Sequence, residues 1–273
     1  MNLFSLRIYL IFSKIKMKKV KPKKYLGQHF LNDENISQKI VQLLENKQNY
    51  FLEIGPGTGV LTKYLIKKNS DFSLIEIDSE CVNFLISNYP KTKNKILEID
   101  FLKLNLANNF PKKISVIGNF PYNISSQIFF KILENKNQII ETVGMVQMEV
   151  AERIVALSGK KRGILSVLTQ AFYNIKYCMN VNPNVFIPPP KVKSAVIKLT
   201  RNDRTSLACD ENLFFKIVKT AFNQRRKTLK NALKTFILQN TFEVNNLLKL
   251  RAEDLSVEHF ITLTLNAKND KYK

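Results

Sequence analysis

From Tyr50 onward the chain repeats one unit: a short apolar run ending in a polar or acidic residue, then a stretch with helical periodicity. The apolar runs are Tyr50–Ile54, Phe72–Ile77, Lys95–Ile99, Ile114–Gly118, Val143–Met148 and Val192–Leu199. Runs of this length, separated by helical stretches, predict strands of a largely parallel sheet covered by helices on both faces. The expected fold is therefore α/β: a doubly wound, mostly parallel, Rossmann-like sheet. Its last run follows the stiff turn Pro188-Pro189-Pro190 and reads as an antiparallel edge strand.

After about Arg201 the strand runs stop. Leu213, Phe214, Ile217, Val218, Ala221 and Phe222 recur at helical spacing. A small C-terminal α-helical domain is expected over 201–273, after a sheet domain over 17–200. Residues 3–12 are apolar, but the run is too short to span a bilayer, Arg7 interrupts it, and no small-residue cleavage site follows. Met17 opens a second, basic start, so residues 1–16 read as a misassigned gene start or a disordered leader.

Charge narrows the partners. The 273 residues carry 43 Lys and Arg against 22 Asp and Glu, a net charge of +21, so the field of the whole protein attracts polyanions. Of those 43 cations 35 are Lys, and Asn and Ile are also abundant, which points to an A+T-rich genome that inflates the total. Clustering therefore says more than net charge. Lys14–Lys24 holds seven lysines and no acid; Lys219–Lys234 holds Lys219, Arg225, Arg226, Lys227, Lys230 and Lys234, again without an acid. Helical spacing puts Ala221, Phe222, Leu229 and Leu233 on the apolar side of the second cluster and leaves its cations to phosphate. Arg225, Arg226, Lys227, Lys230 and Lys234 are the candidate contacts to a nucleic-acid backbone, although a charged helix face is ordinarily only solvated. Cys81, Cys178 and Cys209 form no C-x-x-C pair, and His29 and His259 are the only histidines, so neither a zinc site nor a disulfide framework is written in the chain.

The strongest chemical signal is Glu53-Ile54-Gly55-Pro56-Gly57-Thr58-Gly59, between the first strand run and the helical stretch Val60–Lys67. Glycines there let the backbone approach a ligand, and the start of the helix presents unpaired N–H groups. A plain strand-to-helix turn needs one or two glycines, whereas three stand here behind an acid. Gly55 and Gly57 are thus candidate cofactor positions. In nucleotide-binding sheets an acid about 20 positions further on, ending the second strand, accepts hydrogen bonds from ribose hydroxyls. Glu76 stands 21 residues after Gly55. Asp100 follows the third run and Asn119 the fourth, so polar groups gather at the carboxyl edge of the sheet.

Hydride carriers and S-adenosylmethionine both contain an adenosine, so the glycine loop fits either. Asn119-Phe120-Pro121-Tyr122 separates them, because it resembles the signature of amino-group methyltransferases that act on nucleic-acid bases. The lone pair of adenine N6 is delocalised into the ring and is a poor nucleophile. Acceptors on the Asn119 side chain and the Phe120 carbonyl can bind the N6 hydrogens and favour a more tetrahedral nitrogen. Pro121 fixes the turn, and Tyr122 can stack on the extruded base. Phe186 is a candidate second face of the base sandwich, a core aromatic being the alternative. The sulfonium carries its own leaving group, so no metal is expected.

Taken in order, Tyr25–Asp33, Glu53–Thr62, Ile75–Asp78, Gly118–Ser125, Met145–Val155, Phe186–Val196, Ala221–Leu233 and Arg251–Ser256 resemble the ribosomal RNA adenine N6-dimethyltransferase family, and within it the bacterial small-subunit (16S) enzymes associated with kasugamycin sensitivity. The resemblance implies a methyltransferase domain over 17–200 and a helical RNA-binding domain over 201–273. It also implies transfer of two methyl groups from S-adenosylmethionine to each of two adjacent adenosines near the 3′ end of small-subunit rRNA. By the same carry-over His29 and Leu31 border the cofactor, Gly55 approaches its methionine side, Glu76 holds the ribose, Asp100 reads the adenine amine, and Asn119 faces both donor and target. The implied partner is the small ribosomal subunit, with no membrane, a cytoplasmic location and a monomer as the default. One departure stands out: where the family carries Tyr-Gly-Arg-Leu-Ser, this chain has Arg162-Gly163-Ile164-Leu165-Ser166. A basic contact of that loop is then lost, or moved to Lys160, Lys161 or Arg162.

Two other functions share part of the pattern. A large-subunit rRNA dimethylase of the macrolide-resistance type has the same glycine loop and N-x-P-Y motif, and a non-catalytic ribosome-assembly factor could keep the fold. The segments Ala221–Leu233 and Arg251–Ser256 speak against the first, and intact Glu76, Asp100, Asn119 and Tyr122 against the second. A nicotinamide dehydrogenase leaves Asn119–Tyr122 and the basic segment unexplained.

Overall fold

A computed structural model of the chain describes residues 20–45, 50–68, 71–110 and 113–268. The expectations for residues 1–16 and the first part of the lysine-rich start lie outside the described residues. In chain order the strands are β1 (Phe30–Leu31), β2 (Tyr50–Ile54), β3 (Phe72–Glu76), β4 (Ile96–Glu98), β5 (Ile114–Asn119), β6 (Ile139–Gln147), β7 (Tyr173–Val181), β8 (Phe186–Ile187), β9 (Ser194–Arg201), β10 (Ile237–Leu238) and β11 (Ala267–Lys268). The helices are α1 (Glu34–Gln42), α2 (Thr62–Lys67), α3 (Ser79–Asn88), α4 (Leu106–Asn109), α5 (Ser125–Glu134), α6 (Met148–Val155), α7 (Ile164–Gln170), α8 (Glu211–Asn223), α9 (Leu229–Ala232), α10 (Phe242–Leu248) and α11 (Val257–Leu265).

Seven strands form one sheet in the order β4-β3-β2-β5-β6-β9-β7. The first five neighbours run parallel, while β9 is antiparallel to both β6 and β7. From β2 the chain winds outward through β3 to β4, then returns to the other side of β2 as β5 and continues to β6. That reversal puts a topological switch point between β2 and β5, where open α/β sheets leave a crevice beyond their carboxyl ends.

Burial explains the strand assignments. Phe51, Leu52, Leu74, Val116 and Ile117 are fully buried, as expected of central parallel strands covered on both faces. One face packs against α1 and α2 through Ile40, Val41, Leu61 and Leu65, and the other against α5 and α7 through Ile128, Phe129, Val167 and Leu168. The amphipathic stretch after Arg201 forms α8, started by the Asp210 carboxylate, which accepts from Leu213 N at 2.7 Å. Its apolar side, Leu213, Phe214, Ile217, Val218 and Ala221, joins the hydrophobic cluster that includes α5 and α7.

After Arg201 the strands do not stop entirely: β10 pairs antiparallel with β11, two residues each, too short to show as apolar runs. Three details of the seven-stranded sheet also depart from the sequence pattern. β7 has no counterpart among the expected strands: Asn174, Lys176 and Asn180 interrupt its apolar positions and are exposed, as an edge permits. It takes the edge, so the strand after the triple proline lies one place further in than expected. β6 starts four residues early because buried Glu141 and Thr142 break its apolar run. Lys198 of β9 pairs with Glu141 at 3.0 Å and with Glu45 at 2.9 Å, and Ser115 Oγ donates to Glu141 at 2.9 Å. A buried acid is tolerated there because each of these partners is itself held by the sheet or by the segment after α1.

Candidate active site

At the switch point a cavity of about 190 Å³ opens. Its walls include Gly55 and Gly57 after β2, Glu76 at the end of β3, Asp100 beyond β4, and Asn119 to Ile124 at the end of β5. Residues 26–30 form the remaining wall.

The glycine loop is shaped for close approach. Gly57 has φ +55°, and a Cβ there would lie 2.9 Å from the Phe30 ring. Its N–H donates to Glu76 Oε2 at 3.0 Å, while Ile77 N and Asp78 N both donate to Glu76 Oε1 at 2.9 Å. Burial pushes the Glu76 carboxyl up from its ordinary value, and these three backbone donors oppose the shift. A carboxylate offers about four lone-pair sites, so Oε2 keeps one for an incoming donor. Glu53, one strand over, is fully buried and accepts from Thr62 Oγ1 at 2.7 Å. Desolvation pushes it up to about 8.

Asp100 Oδ1 accepts from Leu102 N at 2.9 Å, starting the 3-10 turn Phe101–Lys103; among the described residues nothing donates to Oδ2. Asn119 is oriented from the opposite wall. Its Nδ2 donates to the His29 carbonyl at 2.8 Å, which leaves Oδ1 as an acceptor. Phe120 points the other way: its ring is fully buried, edge-on to Phe129 at 5.9 Å, and its N–H donates to Met145 O at 3.0 Å. Gly144 and Gly118 leave room for that ring, because a Cβ at Gly144 would come within 2.6 Å of it and one at Gly118 within 3.0 Å. Burying the Phe120 side chain is what directs its neighbours Asn119 and Tyr122 to the cavity.

The Tyr122 ring stacks on His29, with centroids 5.4 Å apart and planes at 26°, and its hydroxyl pairs with Ser194 Oγ. His29 Nδ1 donates to Pro188 O at 2.8 Å. The segment before β1 is fastened over the cavity by Asp78, which receives Lys23 Nζ at 2.5 Å and Gln28 Nε2 at 2.8 Å. Burial alone would raise the Asp78 carboxyl, but these donors hold it below its ordinary value.

Leu31 lines a smaller adjoining cavity that shares Phe30, Gly55, Gly57 and Asn119 with the main one, and is 3% exposed. One expected residue stands elsewhere. Phe186 is not on the cleft wall: it is 2% exposed, paired through β8 with Leu31, and part of the core cluster. Its apolar ring gains more from that burial than from the half-open cleft.

The basic segment is not one helix. α8 ends at Asn223, a turn follows, and α9 begins at Leu229. Arg226, Lys227, Lys230 and Lys234 are exposed, and none has an acidic partner within salt-bridge distance among the described residues. Arg225 differs, because its Nε donates to Glu253 at 2.5 Å and its Nη2 to the Lys160 carbonyl, so it braces the loop before α7. Arg162 is 1% exposed and donates to Leu255 O at 2.9 Å, Ala156 O at 2.6 Å and Gln170 Oε1 at 2.8 Å. This places its charge in the interior, leaving exposed Lys160 and Lys161 as the outward cations of the loop, the latter paired with Glu152 at 2.7 Å.

Residues the pattern did not single out are Gly144, Ser194 and Asp78. Only Asp78 carried a signal, as the acid closing LIEID. Among the described residues no group of three or more His, Cys, Asp and Glu side chains is placed to hold a metal ion, and no helix is long and apolar enough to cross a membrane.

The profile of the family described as ribosomal RNA adenine dimethylase matches residues 19–268. A protein of Flavobacterium johnsoniae named ribosomal RNA small subunit methyltransferase A is 55% identical over 257 residues, covering 93% of this chain and 98% of that protein. Its namesake in Cytophaga hutchinsonii is 54% identical, covering 91% and 98%. Among solved structures, a dimethyladenosine transferase from Plasmodium falciparum is 26% identical with a TM-score of 0.73, covering 87% of this chain and 96% of that one. A 23S rRNA methyltransferase at 22% identity and a TM-score of 0.70, covering 87% and 98%, shares the fold. With a matching profile over most of its length and relatives above half identity, this chain belongs to the ribosomal RNA adenine dimethylase family.

Proposed function

We propose that this protein transfers methyl groups from S-adenosylmethionine to N6 of two adjacent adenosines near the 3′ end of small-subunit rRNA. The observation that carries the reading is the convergence of Glu76, Asp100 and the Asn119–Tyr122 turn on one cleft at the switch point of the sheet. The small-subunit assignment rests on the names of the relatives.

The cavity suits the donor chemically. Glu76 Oε2 has a lone pair left for a ribose hydroxyl, Asp100 Oδ2 can accept from an adenine amine, and Ile75, Ile77, Ile99 and Phe101 supply apolar walls for the ring. When bound, the donor supplies an electrophilic methyl on a positively charged sulfur that departs neutral. The protein's share is to prepare the nucleophile. Asn119, fixed by the His29 carbonyl, presents Oδ1 to one N6 hydrogen, and the Phe120 carbonyl takes the other; both favour a nitrogen whose lone pair leaves the ring. Tyr122 seats the extruded base, whose unstacking costs a few kcal/mol. Arg226, Lys227, Lys230 and Lys234 hold phosphates of the surrounding RNA, and the same attraction steers it to the cleft.

Incubation with methyl-labelled S-adenosylmethionine tests this on immature small subunits and naked large-subunit rRNA in parallel. Label is expected in the small subunit alone and is lost in Asn119→Ala. Label in large-subunit rRNA instead would assign the macrolide-resistance activity, and equal labelling by Asn119→Ala would remove Asn119 from the site.

A further inference from the structure

Tyr122 is held at its far end by a residue outside the glycine loop and the Asn119–Tyr122 turn. Ser194 opens β9, directly after the turn that follows the triple proline, and is fully buried. Its Oγ pairs with the Tyr122 hydroxyl, the only hydrogen bond of that oxygen among the described residues. A buried hydroxyl without a partner is costly, so each group fixes the other. The backbone of Ser194 is itself held on both sides, opposite Gln147 of β6 and Val181 of β7. The Tyr122 hydroxyl is thus moored to the start of a strand paired on both sides rather than to a loop. The His29 ring covers one face of the phenol, and His29 is anchored in turn to Pro188 O. With one face covered and one end tied, the ring has one seat left to offer.

We propose that Ser194 is a positioning residue for methyl transfer: it locks the Tyr122 ring so that the face away from His29 receives the target adenine. This rests on the function proposed above and assigns to the Phe186–Val196 segment a task carried by Ser194 in place of Phe186.

A double-mutant cycle of Ser194→Ala and Tyr122→Phe tests it, since the two changes remove the same bond from opposite ends and Phe keeps the ring. Each single change is expected to lower kcat on small subunits by about three- to tenfold, the worth of one neutral hydrogen bond. KM for S-adenosylmethionine should stay near that of the parent, while the melting temperature falls in each single variant, which leaves a buried hydroxyl unpaired, and recovers in part in the double variant, which leaves none. The double variant is expected to be no slower than Tyr122→Phe alone. Independent losses that multiply in the double variant, or an unchanged kcat in Ser194→Ala, would overturn the assignment while leaving the proposed function standing. A parent protein that labels no RNA would overturn that function, and this assignment with it.

Discussion

The carboxyl rim of the sheet and the basic face beyond α8 meet the same substrate by opposite means. At the rim each polar side chain is tied down: Glu76 by three backbone N–H groups, Asp100 by Leu102, Asn119 by the His29 carbonyl. On the basic face Arg226, Lys227, Lys230 and Lys234 are exposed. Chemistry at one nitrogen rewards fixed geometry, because a donor already in place needs no reorganisation in the transition state. Phosphate binding rewards reach, because long cationic side chains follow an RNA backbone that differs from site to site. Two further arginines serve the frame instead: Arg162 turns inward, and Arg225 braces the loop before α7 from the surface.

Substitutions should separate the regions. Asn119→Ala is expected to lower kcat about 100-fold or more, the scale of losing one preorganised transition-state hydrogen bond, with little change in RNA affinity measured by filter binding. Arg162→Ala should destabilise the fold by about 3 kcal/mol in urea, since three acceptors lose their donors at roughly 1 kcal/mol each. Arg162→Lys should not restore the loss, because an ammonium lacks the guanidinium fork. At the rim, Glu76→Gln is expected to weaken binding of S-adenosylmethionine by about tenfold in calorimetry, at the lower end for a hydrogen bond to a charged group.

Smaller effects test the exposed face and the buried acid. Neutralising Arg226, Lys227 and Lys230 together should leave the melting temperature unchanged and flatten the salt dependence of RNA binding, by roughly one unit of slope per lost phosphate contact. An unchanged slope would show that the face is merely solvated. Glu53 should give a one-proton pH effect on stability. Burial pushes its carboxyl from 4.5 up to about 8, so within that window the folded protein holds a proton that the unfolded chain has released. Stability should therefore decline as pH rises from 4.5 towards 8, and Glu53→Gln should make urea midpoints flatter across the same range. The raised Glu76 carboxyl adds a slope of the same sign, which survives in the variant.

The rim was legible because strand ends follow from local pattern. An apolar run followed by Glu76, Asp100 or Asn119 places each side chain at the same edge of a parallel sheet, whatever the rest of the chain does. The exceptions needed long-range partners. Phe186 and Tyr122 look alike as aromatics within two residues of a proline, yet one is drawn into the core by its pairing with Leu31 and the other is held at the cleft by Ser194, 72 residues away. Arg162 and Arg225 cannot be told from Arg226 by composition; what distinguishes them is the carbonyls of Leu255 and Lys160 and the carboxylate of Glu253 nearby. β7 carries no such pattern because an edge strand needs no continuous apolar run.

The central claim is that the cleft passes methyl groups to adenine N6 in small-subunit rRNA, and mass-spectrometric mapping of that rRNA after incubation with the pure protein and S-adenosylmethionine tests it most directly. The expected result is N6,N6-dimethyladenosine at two neighbouring positions near the 3′ end. Unmodified adenosines there, or methyl groups confined to another base or another position, would contradict it.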